Sequence, residues 1–279
     1  ADVGEPGMGL GEDTTVYRAD CDPILGDGPN VPCSMPWPSN LYLRPASHTA
    51  TGYSLQFGAT SLPQNNQGKY VRPDGFALLD GYGPSTQILV LFPGIDVSTL
   101  AGEDHIERSL APDASIVLLE DSGGKLRRVP YWVELDGYET DPRAQTLFVR
   151  PAEILKEATR YVVAFRNLRD TTGAAIGPAR PFVRLRDGDT ATQPLLSARQ
   201  ARFDATFATL ESQGIDKKSL VVAWDFVTGS NQAMHGALLQ MRDDALARVG
   251  AMGPPITVDQ VTEFVAAPDG SGKPVDANI

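Results

Sequence analysis

The chain has 279 residues, 42% of them hydrophobic, enough to bury a substantial core in one large domain or two small ones. Acidic residues outnumber basic ones 35 to 24, a net charge of -11, and no run of Lys or Arg offers the electrostatic footprint that a phosphate backbone requires, so no nucleic acid partner is expected. No apolar stretch approaches the roughly 18 to 20 residues of a bilayer span, which predicts no transmembrane segment.

Residues 1–20 open on a Gly-rich, acidic text with little to bury and read as a flexible N-terminal tether. The chain starts at Ala1 with neither an initiator Met nor an apolar signal core, so the expectation is that an export sequence has been removed ahead of it. Cys21 and Cys33 are the two cysteines, separated by a Gly/Pro/Asp segment able to bend back on itself; a disulfide is expected, and with it an extracellular or outer-surface location. Residues 21–86 then read as an irregular wrap pinned by that disulfide. Within it Trp37, Leu41 and Leu43 serve as anchors, and Pro73-Asp74-Gly75 is a turn signal.

Regular structure is expected from residue 87 to about 190. Gln87 to Phe92 is a β-branched, apolar run of strand length. Ser115 to Glu120 and Arg127 to Leu135 flank the polar turn Asp121-Ser122-Gly123-Gly124-Lys125 as a hairpin, and Val129, Tyr131, Val133 and Leu135 alternate as one buried face should. Gln145 to Arg150, Arg160 to Arg166 and Pro181 to Leu185 complete a set of short strands whose turn spacing suggests a sandwich. Residues 191–279 read as a helix-strand-helix extension. Its first helix is capped by Ser197, carries Phe203, Phe207 and Leu210 on one face and stops at Gly214. Leu220 to Val227 is a strand. A second helix places Met234, Leu238, Met241, Ala245 and Val249 in an apolar stripe, read as ordinary core material, and stops at Gly250. Thr257 to Ala266 is expected to be one more strand.

Motifs that carry chemistry are sparse. The G-x-S-x-G elbow that holds a hydrolase nucleophile is absent; Gly270-Ser271-Gly272 is the nearest fragment and reads as a turn. Ser122-Gly123-Gly124-Lys125 formally matches S-x-x-K but falls on a hairpin tip. His48, His105 and His235 lack metal-ligand spacing, and His105-Ile106-Glu107 matches only half of a zinc deaminase signature. Asp20, Asp22 and Asp27 crowd the cysteine loop as calcium ligands can, yet Ile24 breaks the EF-hand spacing and a solvated acidic loop is the simpler reading. Gly7-Met8-Gly9-Leu10-Gly11 neither follows a strand nor opens a helix, so it supports no nucleotide site. No residue is assigned a catalytic, cofactor-binding or metal-binding role, and no cofactor is expected.

Two stretches carry a resemblance. Arg150-Pro151-Ala152-Glu153-Ile154-Leu155, Ala158-Thr159-Arg160-Tyr161 and Leu168-Arg169-Asp170-Thr171-Thr172-Gly173 look like a bacterial Ig-like domain, in which Tyr161 packs in the core and ties its hydroxyl to a corner while Asp170 and Gly173 make a tight turn. With Pro38-Ser39-Asn40-Leu41 in front and Val222-Ala223-Trp224-Asp225-Phe226-Val227-Thr228 behind, the order of segments is similar to the N-terminal region of bacterial extracellular lipases of the virulence-factor type. In that group the region precedes an α/β-hydrolase domain, and many members are exported lipoproteins or secreted enzymes.

The resemblance implies a mainly β fold: an Ig-like antiparallel β-sandwich (87–190) with an irregular N-terminal wrap and two C-terminal helices. It also implies a non-catalytic N-terminal segment of a secreted or surface lipase or esterase, bracing or partly covering a downstream α/β-hydrolase domain or chain as its partner. The alternative is a stand-alone extracellular binding or adhesion module, with Trp37, Tyr53 and Tyr82 as an exposed aromatic platform.

Overall fold

The computed structural model describes residues 16–26, 28, 30–250 and 253–260. The chain divides into two compact units, Ala1–His235 and Gly236–Ile279. The expected tether lies mostly outside the described residues, and so does all of the expected strand Thr257 to Ala266 beyond residue 260. Residues 257–260 are not in a strand. Gly7 to Gly11 and Gly270-Ser271-Gly272 lie outside them as well.

Nine strands, all antiparallel in their pairing, form three sheets among the described residues of the first unit. A small hairpin comes from the wrap: β1 (Leu43–Pro45) pairs with β2 (Tyr53–Leu55). A three-stranded sheet has the order β3 (Ile88–Val90), β7 (Leu147–Pro151), β6 (Tyr131–Leu135). A four-stranded sheet has the order β5 (Lys125–Arg128), β4 (Ile116–Ser122), β8 (Arg160–Arg166), β9 (Leu220–Val227). The fold is thus mainly β, with antiparallel sheets and a few helices.

The alternation expected from Val129 to Leu135 is present, with Val129, Tyr131 and Val133 buried, but the segment is two strands rather than one. The break falls at Pro130. Proline has no N–H to give to a ladder, and the chain uses that position to leave the four-stranded sheet and enter the three-stranded one. The two sheets are tied by Tyr131, whose hydroxyl donates to the Ile116 carbonyl at 2.7 Å. The hairpin between β4 and β5 closes through Gly123 and Gly124, with φ of 62° and 88°, the conformation that a two-residue turn of this hand requires.

The four-stranded sheet is buried on both faces. Tyr161, Phe165, Trp224 and Phe226 share one face, with Phe165 5.2 Å from Phe92, just beyond β3, and Tyr161 stacked on Phe226. The opposite face meets α3 (Gln200–Glu211), which buries Phe203, Thr206, Phe207 and Leu210 and packs against β9. This double burial explains why every residue of β9 is buried, Asp225 included, in a continuous rather than an alternating pattern.

One expected strand is a helix. Pro181 to Leu185 lies in α1 (Arg180–Asp187), with Pro181 in the first turn, Arg184 and Arg186 in the last and Gly188 in the left-handed region at φ 77°. Those are helix-start and helix-stop signals, and they outweigh the short alternation of Phe182 to Arg186. Phe182 and Leu185, three apart, are both fully buried, which a strand would not achieve on one face. The expected cap Ser197 is also displaced: it ends the short helix α2 (Pro194–Ser197), and α3 starts at Gln200 with no side-chain cap.

Helix α4 (Asn231–Val249) begins in the first unit and continues into the second. None of its residues is buried, and Leu238 and Met241 are 65% and 68% exposed, so its apolar stripe is not core material. Periodicity reports which residues share a face, not whether anything covers it.

Candidate functional site

The wrap contributes the first half of a polar cluster buried in the first unit. The Cys21–Cys33 disulfide is formed, with a Cα–Cα distance of 4.5 Å, and the Asp22 N–H bonds to the Cys33 carbonyl at 3.4 Å. Tyr42 donates to the same carbonyl at 3.0 Å. This closed loop fixes Asp22, which is 3% exposed, at the entrance to the interior. Ser39, fully buried, donates to its carboxylate, and Ser39 is itself held by Tyr82, whose hydroxyl donates to the Ser39 carbonyl at 2.7 Å.

Helix α3 and the four-stranded sheet supply the other half. Arg199, at the start of α3, makes a bidentate pair with Asp22 at 2.7 and 2.8 Å and donates to Asn40 Oδ1 at 2.6 Å. Asn40 Nδ2 donates in turn to Asp225 Oδ1 at 2.7 Å. Asp225, fully buried in the middle of β9, also accepts from Arg202 Nε and Nη2, both at 2.8 Å on their nearer contacts, and from Arg160 Nε at 3.0 Å. Arg160 reaches onward to Asp121 and to the hydroxyls of Thr206 and Thr209. Arg202 lies over the Tyr53 ring, 4.9 Å from its centroid.

Three arginines therefore face three carboxylates, and the neutral side chain of Asn40 joins the Asp22 pair to the Asp225 cluster. Burial pushes the Asp225 carboxyl up, but Arg202 and Arg160, with the Asn40 hydrogen bond, overcome it and hold the group below the usual carboxylate range. Burial likewise acts against the Arg202 charge and is overcome by Asp225, so the guanidinium is held above its ordinary value. A buried charge is tolerated only when paired and hydrogen-bonded, and here the carboxylates and guanidiniums pair with one another, although Arg199 Nε is buried without a hydrogen-bond partner among the described residues.

A second ion cluster sits on the four-stranded sheet. Glu120, 2% exposed, accepts from Lys156, Arg127 and Ser122, and Arg127 also reaches Glu153. Burial opposes the Glu120 charge, but the hydrogen bonds from Lys156 and Arg127 bring its pKa down to about 2. Close by, the Tyr161 hydroxyl accepts from the Lys156 N–H at 2.7 Å, and burial pushes the phenol up to about 12. The Asp170 turn closes as expected, with the Gly173 N–H bonded to the Asp170 carbonyl at 2.9 Å.

The other sequence-named residues do not converge. Asp22 is committed to Arg199, and Asp20 is bonded to Thr60 and Arg18. Asp27 lies outside the described residues. Asp20, Cys21 and Cys33 come within metal-ligand reach of one another, yet the two sulfurs are consumed by the disulfide and one carboxylate is a poor oxygen set for calcium. His48, His105 and His235 are exposed; His105 approaches Glu107 at 3.7 Å, and His235 Nδ1 lies 2.6 Å from Asn231 Oδ1. The expected aromatic platform is not formed. Tyr82 is 2% exposed and holds Ser39, Trp37 stacks on Phe57 inside the wrap, and Tyr53 packs on Arg202. Large rings in an apolar wrap gain more from burial than from display.

The buried cluster went unread in the sequence, although one signal was present. Asp225 interrupts an otherwise apolar strand, and a carboxylate there demands a buried cation. Which cation answers it, Arg160, Arg199 or Arg202, is a question of tertiary placement.

The first unit also bears an open groove of about 380 Å³ at one end of the three-stranded sheet, lined by residues 84–87, Trp132 and residues 150–154. No helix among the described residues is long and apolar enough to cross a membrane. Compared with known proteins, the chain matches no family model, no curated protein and no solved structure.

Proposed function

We propose that this chain is the non-catalytic front segment of a secreted or surface lipase- or esterase-like hydrolase, and that its Ig-like sandwich and wrap brace a following α/β-hydrolase domain. The observation that carries this reading is the buried, closely paired Asp22–Arg199–Asn40–Asp225 cluster, in which, among the described residues, Arg199 Nε is left without a hydrogen-bond partner. It locks wrap, helix and sheet together and spends its charges on one another, the use of a scaffold rather than of a reacting centre, which keeps a group poised and unspent. The order of segments, from Pro38-Ser39-Asn40-Leu41 through the Tyr161 corner to Trp224-Asp225-Phe226, supports the lipase setting. The disulfide supports an oxidising, extracellular location.

The test is the intact mass of the protein purified from its native host together with hydrolysis of a short-chain p-nitrophenyl ester. A heavier product, or a second chain, that cleaves the ester while residues 1–279 alone do not is the expected result. Ester hydrolysis by residues 1–279 alone, or a native product with no hydrolase sequence, would overturn it.

A further inference from the structure

In β6 and β7 the residues that alternate with the buried Tyr131, Val133, Leu147 and Val149 face away from the core, and they carry an unusual set: Trp132, Glu134, Phe148 and Arg150. Trp132 and Arg150 are direct cross-strand partners, and both line the groove. Arg150 is held by two residues that do not line the groove. Its Nε and Nη2 both reach Glu134 Oε1, and its guanidinium lies 5.2 Å from the Phe148 ring centroid, while Nη1 makes no hydrogen bond among the described residues. At the rim, the Ser85 hydroxyl and the Gln87 amide also make none.

We propose that this groove binds a neutral saccharide, independently of whether the segment braces a hydrolase. A half-buried indole offers a flat apolar face to the C–H face of a pyranose, and Ser85, Gln87 and Arg150 Nη1 offer hydrogen-bond partners to its hydroxyls around that face. The volume, about 380 Å³, lies near the low end of the ~300–1,000 Å³ common for small-ligand sites and suits one sugar ring of a chain that continues along an open groove.

Other ligands fit worse. Strand addition by a peptide needs a free sheet edge, and the outer edge of β3 is occupied by Trp37, which exchanges both backbone hydrogen bonds with Leu89 at 2.9 and 2.8 Å. An anionic ligand would meet Glu153 at the groove, an Arg150 already neutralised by Glu134, and a chain of net charge -11.

The experiment titrates the full chain with neutral oligosaccharides of glucose, xylose, mannose and galactose, and with an oligogalacturonide as the charged control, following tryptophan fluorescence and heat. At least one neutral oligosaccharide is expected to bind, with affinity reduced about tenfold or more in Trp132→Ala and reduced in Gln87→Ala, a change at a half-buried rim residue whose side-chain amide makes no hydrogen bond among the described residues. Far-UV circular dichroism and the urea midpoint of each variant separate lost binding from lost folding. Absence of binding by every neutral oligosaccharide at millimolar concentration, preference for the galacturonide, or equal binding by folded Trp132→Ala and Gln87→Ala would overturn the proposal.

Discussion

Asp22 and Arg199, 177 positions apart in the chain, meet as a bidentate pair at 2.7 and 2.8 Å inside the first unit, with Asp22 3% and Arg199 8% exposed. The contact fastens the disulfide loop to the start of α3. It is also the point through which Asn40 couples the wrap to the carboxylate of β9.

Removing one member of such a pair leaves the other charge stranded. Arg199→Met is expected to destabilise the protein by about 3–5 kcal/mol, because Asp22 stays buried with no cation to pair it, only the Ser39 hydroxyl and the Ile24 N–H. The double variant Asp22→Asn/Arg199→Met is expected to cost less than the sum of the single changes, since no charge is then left unpaired. Urea denaturation of the four proteins of the cycle measures the coupling; a coupling within error of zero would show that the pair contributes nothing.

Acid should unfold this protein by a definable route. Asp225 and Glu120 are both held below their ordinary values in the folded state, so each contributes stability that is complete above the unfolded pKa and is lost as pH falls through the folded one. For Glu120 the window runs from about 4.5 down to about 2. The urea midpoint is therefore expected to be flat near neutrality and to fall steeply below about pH 4. Glu120→Gln should lower the midpoint at neutral pH and flatten the fall, and an unchanged slope would remove Glu120 from the explanation.

The disulfide closes a short loop, with a sequence separation of 12. Chain entropy alone assigns a loop of that order about 3 kcal/mol. Cys21→Ser/Cys33→Ser is expected to lose about 2–4 kcal/mol, and part of that loss should vanish in the Arg199→Met background, because the loop acts by presenting Asp22. Additive losses in the combined variant would show that the disulfide and the ion pair act separately.

Tyr161→Phe removes one oxygen and leaves the packing of the ring on Phe226 in place. The Lys156 N–H loses its acceptor at 2.7 Å, so a cost of about 1–3 kcal/mol is expected, with faster amide exchange at Lys156 and little change elsewhere. Exchange at Lys156 as slow as in the parent protein would mean that another acceptor takes the place of the hydroxyl.

Much of the sheet was legible in the sequence because its signals are local. Arg160 to Arg166 and Leu220 to Val227 are strands over their full expected length, the Gly123-Gly124 hairpin and the Asp170 turn lie where their residues demand, and Tyr161 packs in the core with its hydroxyl tied to the Lys156 N–H. These depend on a few neighbouring side chains and the φ they permit. Pro181 to Leu185 was misread for the same local reason: a five-residue run shows two periods at once, and Pro181 and Gly188 at its flanks decide between them.

What only the tertiary structure decided is which distant groups meet and which surfaces stay open. The acidic loop around Asp22 reads as solvated in one dimension, and in three it is neutralised by an arginine from the far end of the chain. Trp37, Tyr53 and Tyr82 read as a display platform and are drawn into the wrap and the core, whereas Trp132, unremarked in its strand, lines the groove. Alternation assigns residues to faces, but burial of a face depends on what the rest of the chain lays over it, and that is set by long-range packing rather than by any local pattern.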